Sequence, residues 1–343
     1  MKNDTIAIIK QGRRQRRRRW LLATSLLGAL ALALCCAMLL LGNTIYPAHV
    51  IWRVLMGETV EGASFAVNTV RLPRMVAGLF AGFAFGVAGY TFQTMLRNPL
   101  ANPNVMGITS GSSAAAVFCI TVLQANNSVI SIASVVAGLA TVTVIYLLSR
   151  GKTFSIGRLI IVGIGIQAML DAFISYLLLT TSQQNIPAAI RWLAGSLNGS
   201  KLSELPPLII AVLVLTPILV IMGKRLSLLE LGEQMSTTLG VRTDQTRLIL
   251  ILSSVTMIAI ATSITGPIAF VSFLAGPIAK RLVGTSLSGL LPAGLVGVVL
   301  VLGADLIGQF AFTYKYPVGV ITGLLGAPYL ILLLVRMNRK GEL

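Results

Sequence analysis

Charged side chains are scarce in this chain. Of its 343 residues, 11% are Asp, Glu, Lys or Arg, and only ten are acidic. Hydrophobic residues make up 55% of the sequence and the mean hydropathy is +0.87, which lies outside the range of soluble domains. The composition therefore excludes a soluble globular protein, and it predicts a protein that crosses a membrane several times.

Residues that commonly carry enzyme chemistry are also few, with one histidine and three cysteines. Cys35, Cys36 and Cys119 lie inside apolar runs without the spacing of metal ligands, so packing is the favoured interpretation. His49 has no neighbouring cluster of Cys, Asp or Glu with metal-ligand spacing. The sequence also lacks a GxxxxGK loop for binding phosphate. We therefore predict no catalytic residue, no metal site and no cofactor in this chain.

The apolar residues form long runs without a charge. Each run is close to the roughly 20 residues that an α-helix needs to cross a hydrocarbon core about 30 Å thick. These runs cover residues 20–42, 75–96, 106–125, 128–148, 205–223 and 316–335, and a further run, 159–181, is interrupted by Asp171 alone. The longest run, 248–279, exceeds one crossing, and Gly266-Pro267 divides it into a full span and a shorter helix over about 268–283. A further span covers 290–312, and the run 316–335 gives the last span, over about 318–336. The sequence thus predicts an all-α polytopic membrane protein with about ten transmembrane helices.

Basic residues indicate the direction of these spans, because Lys and Arg concentrate in short cytoplasmic loops. With the N-terminus inside and ten spans, six of the 27 basic residues lie on the outer side. These six are Arg53, Arg71, Arg74, Arg191, Lys201 and Lys315. We therefore predict a basic cytoplasmic segment over residues 1–19, a transmembrane domain over 20–336 and a cytoplasmic tail over 337–343.

The net charge of +17 comes in part from the run RRQRRRRW, residues 13–20. Such a run can indicate binding to nucleic acid. Directly before a membrane span, it instead favours orientation of the chain and contact with lipid headgroups. The lipid membrane is therefore a predicted partner, and nucleic acid is not.

Two segments of similar design indicate an inverted repeat. A glycine-rich span followed by a short helix with proline occurs over residues 75–116 and again over 248–283, in opposite predicted directions. Paired interrupted segments are typical of inverted-repeat transporters with a central path. In the first, Gly78, Gly82 and Gly86 recur every four residues, a spacing that predicts close helix packing.

The first repeat also contains RNPLANPNVMG, residues 97–107. Its prolines end the second span, because proline lacks the N–H group and disfavours helix in the residue before it. The asparagines are expected to satisfy backbone groups of the loop. The stretch is predicted to be a rigid reversal that launches a short helix toward the core, or a turn at the bilayer surface without a direct role in transport.

Four motifs, in order, carry a resemblance to a known family. They are RLPRMVAGLFAGFAFGVAGYTFQTMLRNPLANPNVMGITSGSSAAA, LELGEQMSTTLGV, TGPIAFVSFLAGPIAKRLVG and YPVGVITGLLGAPYLILLLVR. From about residue 71 to residue 336, the chain resembles the FecCD-type membrane subunits of ABC importers for iron–siderophores, haem and cobalamin. The resemblance implies the type II importer permease architecture, with ten helices per subunit and a dimeric permease around a central pathway. It also implies two cytoplasmic ATPase subunits, which bind the ATP, and an external substrate-binding protein.

The resemblance favours a ferric siderophore as the substrate, moved across the inner membrane of a bacterium, with both termini of this chain in the cytoplasm. The segment AGPIAKRL departs from the PHIAR pattern of many relatives and favours a second, non-identical permease as the partner. Haem and cobalamin are alternative substrates within the family. A proton-coupled secondary transporter that uses Asp171 and Asp305 is the alternative outside the family.

The RLPR motif resembles a patch that docks the binding protein. Its arginines, Arg71 and Arg74, carry that role by resemblance. As lone residues they also fit anchors to lipid headgroups. A third arginine of the family aligns with Gln309, and Lys315 is a nearby substitute.

Residues 226–241, LSLLELGEQMSTTLGV, resemble the coupling loop that fits a cleft on the ATPase and transmits its closure. We predict two short helices around Gly232. The residues that the resemblance assigns to coupling are Leu231, Gly232, Glu233, Leu239 and Gly240. Without the resemblance, Glu230 and Glu233 also fit solvated loop charges.

Gate and pathway candidates lie further along the resemblance. Ser155, Ile156 and Gly157 fall in the region of the family's cytoplasmic gate. Asp171 lies in the fifth span, which lines the family's pathway, and an ionisable group in a membrane indicates a functional site by default. Asp171 either contacts a ligand in the pathway or pairs with a neighbouring hydroxyl or amide. Asp305 lies in the ninth span, and its expected role is to pair with a neighbouring helix and so help the two helices pack.

Overall fold

The computed structural model describes residues 2–149, 156–284 and 288–340. Within these ranges the chain is helical and has no β-strand. The helices there are α1 Lys2–Leu40, α2 Ala48–Leu55, α3 Leu72–Met95, α4 Ile108–Thr121, α5 Asn127–Ser149, α6 Ile156–Thr180, α7 Ile186–Leu193, α8 Pro206–Ile221, α9 Gly223–Leu229, α10 Glu233–Thr238, α11 Thr243–Thr265, α12 Val271–Val283, α13 Leu290–Phe310 and α14 Val318–Lys340. A π-helical segment, Phe65–Arg71, leads into α3, and a 3-10 turn, Pro103–Met106, precedes α4.

Ten of these helices follow the order of the predicted spans. Of the helices described, seven are long and apolar enough to cross a membrane, namely α1, α3, α5, α6, α11, α13 and α14. α8 and α9 pass the same test together but meet at a bend of 56°. α4 and α12 have 14 and 13 residues, or about 21 and 20 Å at a rise of 1.5 Å per residue. Both are shorter than a hydrocarbon core of about 30 Å.

The apolar run 106–125 therefore does not form a span of full length, and the short helix predicted after the reversal is confirmed. The 3-10 turn extends to Met106, Gly107 has a left-handed backbone, and the helix ends at Thr121. The shortness of α12 agrees with the predicted break at Gly266-Pro267. Two of the ten apolar helices, α4 and α12, are thus shorter than a full span.

α1 is longer than the predicted first span, because the same helix runs on through the basic segment. The arginines of the RRQRRRR run are exposed. Arg19 donates through Nε to the carbonyl of Leu282 at 2.9 Å and through Nη2 to that of Arg281 at 2.7 Å. The Trp20 indole donates to the carbonyl of Ser288 at 2.9 Å. These bonds fasten the start of the apolar part of α1 to the end of α12 and to the segment before α13.

α3 lies at the centre of the fold and packs against α11, α12 and α13. Gly78, Gly82 and Gly86 lie on α3 and are buried. A β-carbon added at Gly82 would lie 2.7 Å from the carbonyl oxygen of Gly297 in α13, and one at Gly86 would lie closer still to that of Ala293. The predicted packing role of these glycines is confirmed, because a larger residue would collide with the backbone of α13 at Gly82 and Gly86 and with the side chains of Leu302 and Leu197 at Gly78.

The stretch 97–107 forms the predicted reversal between α3 and α4. Asn102 Oδ1 accepts a hydrogen bond from the backbone N–H of Asn104 at 3.1 Å, a turn that asparagine commonly makes. The Ser272 hydroxyl of α12 donates to the same oxygen at 3.1 Å. Gly107 adopts φ +65°, which glycine does without steric cost, and α4 begins there. The reversal is therefore fixed both by its own turn chemistry and by α12.

A second break separates α11 from α12. Gly266 and Phe270 adopt φ +68° and +63°, so the helical path is interrupted on both sides of Pro267. A long helix, a break and a short helix thus occur twice, as α3–α4 and as α11–α12. This is the pair of interrupted segments that the sequence predicts.

Candidate functional site

The segment between α8 and α11 folds as the two short helices α9 and α10, as predicted. We call residues 223–241 the α9–α10 unit. Gly232 separates the two helices at φ +101° and ψ 162°, a backbone region that is essentially restricted to glycine. The Ser236 hydroxyl donates to the carbonyl of Leu228 at 2.7 Å, and the Ser236 N–H donates to that of Gly232 at 2.9 Å. The first of these bonds joins α10 to α9, and the second starts α10 at Gly232.

α10 ends in a left-handed glycine. Gly240 has φ +82°, and its N–H donates to the carbonyl of Thr237 at 2.9 Å. The N–H of Val241 donates to the carbonyl of Ser236 at 3.0 Å. This pair of bonds is the Schellman motif, which satisfies the last carbonyls of a helix. Both glycines of the LGE and LGV sequences are therefore required by the backbone conformation.

The α9–α10 unit exposes three large apolar side chains. The side chains of Leu231, Met235 and Leu239 are 58%, 54% and 52% exposed, and charged and polar residues of the unit are exposed beside them. Large apolar side chains that recur every four residues on an exposed, ordered segment favour an interaction surface. The predicted coupling residues Leu231, Gly232, Glu233, Leu239 and Gly240 all lie in this unit.

Two ion pairs tie the α9–α10 unit to other helices. Glu233 Oε2 lies 3.1 Å from Arg247 Nη2 of α11. Glu230 Oε1 lies 2.7 Å from Lys280 Nζ of α12. Each glutamate therefore pairs with a cation of a different helix and is not an isolated solvated charge.

At the other end of α3 lies a cavity of about 350 Å³. Its lining includes the three predicted docking residues, Arg71, Arg74 and Lys315, together with a fourth cation, Arg191. We call this cavity the arginine recess. Four cations around one concave surface raise the local positive potential and suit an anionic group.

Arg71 is directed into the protein. It is 8% exposed and donates through Nη1 to the carbonyls of Leu39 and Leu40, at 2.8 and 3.0 Å, and through Nη2 to that of Thr44, at 2.5 Å. The last carbonyls of a helix have no partner within it and carry partial negative charge. Arg71 therefore caps the C-terminal end of α1 by donating hydrogen bonds to these carbonyls. Its predicted docking role stays a prediction, and the contacts seen here are structural.

Arg74 forms a two-point ion pair with Asp305 of α13. Its Nε and Nη2 lie 2.8 Å from Oδ2 and Oδ1, and Gln309 Nε2 donates to Oδ2 at 2.7 Å. Asp305 is completely buried, and a buried carboxylate is costly unless it is paired. Asp305 is thus confirmed as a helix-packing partner that joins α13 to α3. Docking of a binding protein through Arg74 stays a prediction. In this structure the charge of Arg74 is paired with that of Asp305.

Lys315 and Arg191 are the exposed cations of the arginine recess. Lys315 Nζ lies 3.3 Å from Asn43 Oδ1, a neutral partner. The charges of Lys315 and Arg191 therefore face solvent at the rim, which is the solvent-exposed edge of the arginine recess.

The gate and pathway candidates are only partly described. Ser155 lies outside the described residues. Ile156 begins α6 and Gly157 follows in its first turn. Asp171 is exposed on α6, which has the smallest buried share of the seven long helices. The side chain of Asp171 therefore lies away from the core of the single chain.

The sequence patterns do not predict two short helices, α2 and α7. The sequence signal for such helices is the spacing of apolar residues. In α2, for example, Ile51 and Val54 lie three positions apart and are buried. α7 carries Arg191 and borders a second cavity of about 480 Å³. Arg191, Ser196 and Asn198 line both this cavity and the arginine recess.

Comparison with known proteins shows relatives along most of the chain. The chain is 39% identical over 294 residues to the ferric enterobactin transport system permease protein FepG of Escherichia coli (strain K12), covering 84% of this chain and 88% of the relative. It is 34% identical over 341 residues to the achromobactin transport system permease protein CbrC of Dickeya dadantii (strain 3937), covering 98% of each. It is 34% identical over 279 residues to the Fe(3+)-citrate import system permease protein YfmE of Bacillus subtilis (strain 168), covering 80% of this chain and 84% of the relative.

Its fold is similar to that of a solved ABC transporter of the metal-chelate type in an inward-facing conformation. The TM-score is 0.80 at 26% identity, covering 92% of this chain and 99% of the other. PsaBC from Streptococcus pneumoniae shares the fold alone, with a TM-score of 0.54 at 14% identity. A sequence model of the FecCD transport family matches residues 27–336, which contain the α9–α10 unit, the arginine recess and both interrupted helix pairs, and the chain therefore belongs to the FecCD transport family.

Proposed function

We propose that this chain is the membrane permease subunit of an ABC importer that moves ferric siderophores inward. The observation that carries the proposal is the α9–α10 unit, whose exposed apolar side chains suit a cleft on a separate ATPase. That ATPase binds the ATP. The substrate follows from the relatives, whose names specify ferric enterobactin, achromobactin and Fe(3+)-citrate.

The complete importer, in this proposal, contains two permeases, two cytoplasmic ATPase subunits and an external substrate-binding protein. α5 and α6 have 28% and 17% of their apolar windows buried in the single chain, so their remaining surface is open to lipid and to a second permease. Two different ferric enterobactin permease proteins of Escherichia coli, FepG and FepD, are 39% and 34% identical to this chain. This supports a non-identical paralogue as the second permease. The importer lies in the inner membrane of a bacterium, with both termini of this chain in the cytoplasm.

The central pathway is proposed to run along α6. Asp171 is exposed on this helix, which supports contact with the pathway, and Ser155, Ile156 and Gly157 are proposed to form the gate at its start. A proton-coupled carrier is less well supported, because the second membrane carboxylate, Asp305, is already held in an ion pair.

The arginine recess is proposed to dock the external binding protein through its exposed cations. Reversing Lys315 and Arg191 together to glutamate is expected to weaken binding of the substrate-loaded binding protein about fivefold at low salt, because attraction at the rim becomes repulsion. The dissociation constant is measured with the importer in nanodiscs at low and high salt. Reversal of Arg71 or Arg74 is expected to disturb folding as well, because these side chains hold α1 and α13.

Arg53 provides the control for this experiment. It pairs with Glu58 on an exposed surface, and it is not among the residues that line the recess. Reversing Arg53 is expected to leave the affinity unchanged. Equal affinity of the doubly reversed and unaltered importers at low salt would remove the docking role of the recess.

The proposed function is tested by purifying the tagged chain from its native membrane in a mild detergent and identifying the proteins that accompany it. We expect an ATPase and a second permease, and ATP-dependent uptake of a ferric siderophore once the external protein is supplied. A ligand screen on that external protein distinguishes siderophore from haem or cobalamin. A chain that purifies alone, with uptake that follows the proton gradient instead of ATP, contradicts the proposal.

A further inference from the structure

Lys280 stands where three elements meet near the C-terminal end of α12. Its Nζ donates to Glu230 Oε1 in the α9–α10 unit at 2.7 Å. The same ammonium group lies 5.4 Å from the centroid of the Tyr90 ring in α3, within the range of a cation–π contact. Lys280 therefore links the α9–α10 unit to the short helix of the second interrupted pair and to the central helix of the fold.

Tyr90 gives Lys280 a rigid support. The Tyr90 side chain is buried, and its hydroxyl accepts a hydrogen bond from the backbone N–H of Gly289 at 3.0 Å. A buried ring with a bonded hydroxyl has little rotational freedom. Lys280 therefore packs against a ring that is bonded to the segment before α13.

Side-chain hydrogen bonds connect α12 to its neighbours at both ends. At its C-terminal end, Arg281 Nη1 lies 3.3 Å from the Tyr329 hydroxyl of α14, and Arg19 of α1 donates to the last carbonyls of α12. At its N-terminal end, Ser272 donates to Asn102 Oδ1 at 3.1 Å, and Gln93 Nε2 of α3 donates to the carbonyl of Phe273 at 2.8 Å. A displacement of α12 at Lys280 therefore also acts on α3 and on the reversal before α4.

We infer that Lys280 and Glu230 are positioning residues that transmit movement of the α9–α10 unit to α12 during import. The inference rests on the proposed function, since movement of this unit requires an ATPase that drives it. The two side chains are 33% and 37% exposed, so water reaches the pair and it can break and reform between states. The pair of Arg74 with Asp305 is, by contrast, 13% and 0% exposed, so water has little access to it.

A charge-reversal cycle tests the inference in the assembled importer, reconstituted in liposomes with its ATPase and binding protein. K280E and E230K, each alone, are expected to lower ATP-dependent uptake about fivefold, within the range found for residues that couple distant sites. The doubly reversed protein, K280E with E230K, is expected to regain at least half of the wild-type uptake, because the ion pair is restored with opposite polarity. Uptake is expressed per assembled complex, so that a difference in yield does not enter the comparison.

Two controls separate transmission from general damage. R53E breaks an exposed ion pair elsewhere on the chain and is expected to leave uptake unchanged. K280R keeps the positive charge and is also expected to retain uptake. If a reversed variant does not assemble, the neutral variants K280Q and E230Q replace it, with the expectation that each alone is impaired and that combining them adds no further loss.

The inference is overturned if the single variants import at the wild-type rate, or if the doubly reversed protein is as impaired as the sum of its single variants. Failure of the proposed function gives a different result. In that case the unaltered chain itself shows no ATP-dependent uptake with the ATPase and binding protein present.

Discussion

Replacing Asp305 with alanine is expected to lower the free energy of unfolding by about 3–5 kcal/mol, the cost of breaking a buried ion pair. The carboxylate is completely buried and receives two hydrogen bonds from Arg74 and one from Gln309. Its removal leaves the Arg74 guanidinium, which is 13% exposed, without its counter-charge. Thermal unfolding of the detergent-purified protein, with the amount of folded chain in the membrane, measures the effect.

Two further variants separate the unpaired charge from the lost pair. Replacing Arg74 and Asp305 together by leucine is expected to recover most of the stability, because an apolar pair of similar volume often replaces a buried ion pair without loss. Replacing Glu58 with alanine breaks the exposed pair with Arg53 and is expected to cost less than about 1 kcal/mol. An alanine variant at Asp305 as stable as the unaltered protein would show that this pair does not hold α3 to α13.

The same ion pair changes how the arginine recess is understood. A guanidinium that is neutralised by a buried carboxylate attracts an incoming anion less than its formal charge suggests, because the two fields largely cancel. The positive potential at the rim then comes mainly from Lys315 and Arg191, which face solvent. The double leucine variant tests this as well, since it removes the pair but is expected to leave docking at the rim intact.

Local features of the fold were predictable from the sequence, because backbone chemistry specifies them at the position itself. The break at Gly266-Pro267 and the two helices around Gly232 appear where glycine and proline predict them. The glycines of α3 are another such case, because their four-residue spacing has one physical use in a membrane. The helical form of the basic segment is not predicted, although arginine is a good helix former, because the charge run indicates only the orientation of the chain and contact with lipid headgroups.

The partners of charged residues were not predictable from a single sequence. Arg74 and Asp305 are separated by 231 positions, and Lys280 and Glu230 by 50. Nothing in either local pattern shows which helix faces which, so the arginines of the RLPR motif carried a docking role by resemblance alone. The three-dimensional packing adds a structural role for both arginines, and it adds the link between the α9–α10 unit and α12.

Replacing Gly232 with valine is expected to lower ATP-dependent uptake at least about tenfold, with little change in the amount of chain in the membrane. A β-branched residue at φ +101° and ψ 162° carries a strain of about 1–3 kcal/mol, which lowers the population of the native loop about 5- to 150-fold. The strain falls on the junction of α9 and α10, outside the core that α3 organises. The displaced surface includes Leu231, which is 58% exposed and adjoins this junction. Uptake and ATPase binding are measured in the reconstituted importer.

Gly28 and Gly240 provide graded controls for the Gly232 variant. Gly28 is helical, and a β-carbon there would meet nothing within 4 Å, so an alanine at this position is expected to leave uptake unchanged. Gly240 has φ +82°, a conformation that asparagine adopts more readily than a β-branched residue, so an asparagine there is expected to give an intermediate loss. If the valine variant at Gly232 imports normally, the ATPase does not depend on the shape of this junction. If its loss of uptake merely follows a loss of chain from the membrane, the glycine serves folding, and the α9–α10 unit loses its place as the element that the ATPase moves.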